Sequence, residues 1–135
     1  MQTKPMLTLD DIKKIAAAAE ADARTNKWAV TIAIVDDGGH LLWLQRLDGA
    51  APISAMIAPA KAVTAAVGRK ETKIFEEMIN NGRYAFITAP NVAGMLEGGV
   101  PIMVDGHCIG AVGVSGVKAP EDAQIAKAGI AAISA

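Results

Sequence analysis

Cysteine is nearly absent: Cys108 is the only one in 135 residues, which excludes an intrachain disulfide and leaves packing to hold the chain together. Aromatic residues are also scarce, limited to Trp28, Trp43, Phe75, Tyr84 and Phe86, while alanine and glycine are abundant. Helices are therefore expected to sit close to their neighbours, with small residues at the contacts. An excess of one charge sign is missing too. The net charge is −1 and neither sign clusters, which argues against a phosphate-backbone footprint and a polybasic membrane anchor. No apolar run is long enough to span a bilayer, and Met1 to Leu7 lacks the charged-then-apolar pattern of a leader. The expectation is one domain, residues 1–135, in a cytoplasmic protein with no nucleic-acid or membrane partner.

Several motifs are lacking as well. No His-x-x-His or Cys-x-x-Cys spacing occurs, so a closed zinc site within one subunit is not expected. No Gly-Lys-Ser/Thr follows the pair Gly98-Gly99, which excludes a P-loop. Gly110-Ala111-Val112-Gly113 falls inside a strand pattern, so it does not read as a dinucleotide fingerprint. Ser115 lacks the spacing of a nucleophile elbow.

What is present organises the chain clearly. Thr8 or Asp10 caps a first helix whose apolar positions recur at Ile12, Ile15, Ala16, Ala19 and Ala23. Trp28 to Val35 reads as a buried strand, Asp36-Asp37-Gly38-Gly39 as a hairpin turn, and His40 to Leu47 as the return strand. Pro52 opens a second helix that Gly68 stops, and Glu71 to Ile79 forms a third, ended by Asn80-Asn81-Gly82. Tyr84 to Thr88 has strand character and Pro90 breaks it; Met95-Leu96-Glu97 reads as a short strand. Asp105-Gly106 turns a second hairpin between two Val- and Ile-rich runs, and Pro120, Glu121 and Asp122 start a last helix. Paired hairpins without a long alternating βαβ pattern point to an antiparallel sheet covered by helices, an α+β fold.

The second run of the later hairpin carries Gly110, Gly113 and Gly116 at every third position. Glycine weakens a strand unless something needs the space. A ligand, a second backbone and a closely packed helix all satisfy that need.

The candidate functional residues follow from chemistry. Arg46 closes the second strand and Lys61 stands among small apolar residues of the second helix. Together they suit a carboxylate or propionate, although Arg46 with Asp48 equally makes a surface pair. Gly98-Gly99 offers backbone N–H groups to an anion or simply turns the chain. His40 and His107 sit beside the two hairpin turns, either as solvated turn residues or as metal ligands; a single His, Met or Cys suffices as an axial ligand to haem iron. Glu97 and Asp48 are the candidate proton-transfer groups of a pocket.

Taken together, Val35-Asp36-Asp37-Gly38-Gly39-His40-Leu41, Arg46-Leu47-Asp48-Gly49-Ala50, Ala60-Lys61-Ala62-Val63-Thr64-Ala65, Gly98-Gly99-Val100-Pro101-Ile102, Gly110-Ala111-Val112-Gly113-Val114-Ser115-Gly116 and Glu121-Asp122 resemble the GlcG/HbpS-like family, also called the haem-degrading domain family. That family includes the C-terminal domain of PduO-type proteins and OrfY-type proteins, and the resemblance runs from about Leu9 to the end. It implies a profilin-like α+β fold with a five-stranded antiparallel sheet flanked by helices. It implies homo-oligomers, from dimers to octamers, and a tetrapyrrole ligand such as haem. The matched positions Arg46, Lys61, Gly98, Gly99 and Ser115 form the implied cofactor-binding set, with His40 and His107 as candidate iron ligands. The competing expectation is an enzyme, a hydrolase or isomerase of a small organic acid, with Arg46 and Lys61 holding the carboxylate and Glu97 or Asp48 moving protons. An accessory protein to a catabolic enzyme is the third.

Overall fold

The computed structural model describes residues 1–134; Ala135 lies outside the described residues. The helices are α1 (Leu9–Thr25), α2 (Ser54–Gly68), α3 (Thr72–Asn80) and α4 (Ala119–Ala131). The strands are β1 (Thr31–Asp36), β2 (Leu41–Arg46), β3 (Gly99–Val104) and β4 (His107–Ser115). They form one antiparallel sheet in the order β2-β1-β4-β3.

Thr8 is the cap of α1: its hydroxyl accepts from Asp11 N–H, and the Asp11 carboxylate accepts from Thr8 N–H in return. Pro52 lies in the turn before α2, not in its first position, and the helix accommodates Pro59 in its interior. Gly68 is the last residue of α2, and the left-handed residue that ends it is Arg69, with φ 59°.

Alternation along the strands sends two residue sets to two faces. On one face Ile32, Ile34, Ile102, Val112 and Val114 pack against Ile12, Ile15 and Ala19 of α1 and Ile125 and Ala126 of α4. On the other, Ala33, Val35 and Ala111 meet Ala58, Ala62, Ala65 and Ala66 of α2. The second interface is made of small residues and is correspondingly close. A Cβ built on Gly113 would stand 2.1 Å from the Ala58 carbonyl oxygen and 2.5 Å from the Ala62 nitrogen. Gly113 is thus helix-contact space, one of the three readings its spacing left open.

Three expectations are corrected. The sheet has four strands, not five. Tyr84–Thr88 is a 3-10 turn, with the Thr88 hydroxyl donating to the Ala85 carbonyl. Its β-branched and aromatic residues find no ladder, because β3 pairs only with β4 and the segment touches the body mainly through Phe86 stacked on Phe75, ring centroids 5.4 Å apart. Met95-Leu96-Glu97 is likewise not a strand: the Leu96 carbonyl accepts from the Thr72 hydroxyl, and Glu97 and Gly98 turn the chain into β3.

Candidate functional site

The implied cofactor-binding residues divide into a buried joint and an exposed strand end. Lys61 is 3% exposed, and its ammonium donates at 3.0 Å both to the Asp122 carboxylate and to the Val114 carbonyl. The other Asp122 oxygen accepts from Val117 N–H at 3.2 Å. Burial pushes the Asp122 carboxyl above the usual carboxylate range, against the pull of Lys61 and of the Val117 N–H. Gly98, with φ 131°, lies directly on this pair: a Cβ there would sit 2.7 Å from the Lys61 nitrogen. Gly99 N–H donates at 2.8 Å to the Thr72 hydroxyl. Ser115 is buried, in register with Thr31, whose hydroxyl is 2.7 Å from that of Ser54. Lys61, Gly98 and Gly99 therefore belong to a closed polar joint that ties α2, β3, β4 and α4 together, while Ser115 lies buried at the end of β4 beside β1.

Arg46 does not join them. It ends the edge strand β2 and is exposed, as is Asp48, which borders a shallow cleft of about 250 Å³ with Arg24, Lys27 and Trp28. Glu97 is half-buried in the turn before β3. The two candidate proton-transfer residues thus stand on different parts of the molecule.

The histidines also separate. His40 is largely exposed; its Nδ1 lies 3.0 Å from the Asp36 carboxylate. Burial raises the Asp36 pKa, but the N–H donors of His40 and Gly38 and the His40 ring outweigh it and hold the carboxyl below its ordinary range. His107 opens β4 and faces a cavity at the end of the sheet. That cavity, about 490 Å³, is lined by Lys4, Arg69, Met103, Gly106, His107 and Cys108. Sequence reasoning missed its two cations. Arg69 donates to the Cys108 carbonyl at 3.1 Å, which anchors the side chain of a residue held in the left-handed region that non-glycine residues rarely adopt. Lys4 pairs with Asp37, whose carboxyl that hydrogen bond, outweighing burial, holds below the ordinary range. Lys4 and Arg69 thus bring two cations to this end of the molecule, with Asp37 paired to Lys4 and Asp105 in the turn beside Gly106. Among the described residues no group of three or more His, Cys, Asp or Glu side chains could hold a metal ion. No helix is long and apolar enough to cross a membrane.

Comparison with known proteins places this geometry. The chain is 57% identical over 115 residues to the protein GlcG of Escherichia coli K12, covering 85% of each. The crystal structure of the Klebsiella pneumoniae protein ORFY superposes with a TM-score of 0.90 at 30% identity, covering 98% of this chain and 93% of that one. A structure described as a PduOC:heme complex superposes with a TM-score of 0.84 at 28% identity, covering 96% of each. Residues 7–131 match the family model described as haem degrading protein HbpS-like, and the chain belongs to that HbpS-like family.

Proposed function

We infer that this protein binds haem or a related tetrapyrrole acid, and that it does so in the cavity at the end of the sheet. The observation that carries the reading is the meeting there of three groups with the right chemistry in about 490 Å³. The His107 imidazole suits an axial position on iron. Arg69 keeps donors beyond the one spent on the Cys108 carbonyl and would take one carboxylate, and Lys4 would take another by exchanging it for Asp37. Met103, half exposed beside them, supplies polarizable apolar surface for a flat ring. The family's haem-related name and the haem complex of a structural neighbour support the choice of ligand. None of the five aromatics lines this cavity, so the ring needs a further apolar wall, and a second subunit of a homo-oligomer would supply it.

The test is a haemin titration followed by visible absorption, with His107→Ala and Arg69→Ala beside Arg46→Ala. A saturable Soret shift that weakens in the first two variants and persists in the third is expected. If only Arg46→Ala weakens it, the ligand lies on the β2 side, at one of the positions the sequence resemblance implied. An unsaturable shift in the parent protein sinks the tetrapyrrole reading.

A second reading rests on the same cations. A small organic acid held by Arg69 and Lys4 would lie beside the His107 imidazole, which would serve as its general base. Glu97 and Asp48 stand outside that cavity. Proton transfer would then fall to His107, and thermal stabilisation across a set of small carboxylic acids would find the substrate class.

A further inference from the structure

A second cavity lies elsewhere and shares no lining residue with the first. It is a cleft of about 340 Å³ between α2, α3 and the segment 84–95, lined by Thr64, Val67, Phe75, Phe86, Val92 and Met95. That volume falls at the small end of ordinary ligand sites. Its walls are apolar. Gly68 makes room on one side, since a Cβ there would meet the Phe75 ring at 2.6 Å. The Phe75 and Phe86 rings are nearly parallel, 13° apart, and present flat surface.

One wall residue is polar. Thr64 is 2% exposed, and its hydroxyl oxygen accepts from Gly94 N–H at 3.3 Å. Among the described residues no carbonyl or carboxylate takes the hydroxyl's own proton. The hydroxyl's own proton is therefore available to an acceptor in the cleft, water or a ligand atom. The roof of the cleft contributes little to its own stability: no residue of the 3-10 turn Tyr84–Thr88 is buried, and Tyr84 and Ile87 expose about two thirds of their surface, 66% and 64%.

We propose that this cleft is a binding site for a small, flat, uncharged molecule that carries one hydrogen-bond acceptor, an aryl ketone or a compound of that shape. The ring packs among Phe75, Phe86 and Met95, and the acceptor takes the Thr64 proton. The cleft-lining residues include no charged side chain, so a tetrapyrrole acid is not its ligand.

Acetophenone and ethylbenzene serve as probes, because they share shape and differ in the acceptor. The readout is amide chemical shift on isotope-labelled full-length protein. Acetophenone is expected to shift the Thr64, Gly68, Phe75 and Gly94 amides saturably and to bind roughly three- to tenfold more tightly than ethylbenzene, the ratio one net hydrogen bond provides. Thr64→Ser should preserve that preference and Thr64→Val should erase it while ethylbenzene still binds. Val92→Trp, a change at a half-buried loop position, should fill the cleft and block both probes. Equal affinities in the parent protein, or shifts scattered over the exposed apolar surface without saturation, overturn the proposal. Because Thr64→Val also removes the acceptor of Gly94 N–H, intermolecular contacts between acetophenone and the Phe75 and Phe86 rings in the parent protein decide the matter if that variant loses its fold.

Discussion

Lys61 is the residue whose meaning changes most between sequence and structure, and a short mutational series separates its two roles. Its side chain and that of Asp122 are 4% and 3% exposed, and the pair is joined at 3.0 Å. Removing one member of such a pair strands the other charge away from water, at a cost of about 3–5 kcal/mol. Lys61→Met should fall in that range, since it leaves Asp122 without its cation and the Val114 carbonyl without its donor. Asp122→Leu should cost a similar amount for the mirror reason. The double variant removes both charges. What remains is an unpaired Val114 carbonyl and an unpaired Val117 N–H, each worth about 1–3 kcal/mol if dry. The double variant should therefore be no less stable than either single one, with strong coupling in the cycle. Urea unfolding followed by circular dichroism gives the free energies, run at several protein concentrations so that subunit association is separated from folding. A cost below about 1 kcal/mol for Lys61→Met, or a double variant that equals the sum of the singles, refutes the joint. If Lys61→Met were nearly as stable as the parent yet lost haemin, Lys61 would be a propionate partner after all.

Two other outcomes follow from the same interior. Gly113→Ala should destabilise the protein by about 3 kcal/mol or more, because its Cβ would meet helix backbone and not a movable side chain; an unchanged urea midpoint would contradict the packing of α2 on β4. The pH dependence of stability should differ between the parent and Asp122→Asn. The folded-state pKa of Asp122 is raised, so its contribution is greatest below the unfolded value of 3.8 and is lost as pH rises through the folded value. Lowering the pH from neutrality towards 4 should thus stabilise the parent relative to the variant, although Asp36, with its depressed pKa, contributes the opposite slope to both. A difference that shrinks on acidification would refute the assignment.

Local signals were legible where local physics decides. The cap at Thr8, the 3.6-residue periodicity of α1 and the glycine-containing turns of both hairpins each determine their structure within a few residues. The segment Tyr84–Thr88 failed the same test because strand propensity measures fit to a neighbouring strand, and none is present there. The Lys61–Asp122 pair spans 61 positions. Asp122 read as an acid at a helix N-terminus, and only its burial against α2 shows its partner. Arg69 had no signal beyond following Gly68, where a left-handed residue ends the helix.

The three-residue glycine spacing that looked like room for a ligand has an architectural consequence for where ligands enter. Both faces of the central strands β1 and β4 are covered, one by α1 and α4 and the other by α2 at backbone contact distance around Gly113, while the edge strand β2 leaves Leu41, Leu42 and Leu44 exposed. A flat molecule cannot slide onto the central strands without displacing a helix. Space remains at the strand ends and beside the irregular segments, where helix termini and turns leave side chains only partly packed. Both cavities obey that rule: one borders the β3–β4 hairpin and the end of α2, the other lies under the chain between α3 and β3. On the two proposals above, the residues that would choose a ligand are Arg69 and His107 at one site and the hydroxyl of Thr64 at the other. Substituting them should alter binding while leaving the core intact, the converse of the behaviour expected for Lys61 and Gly113.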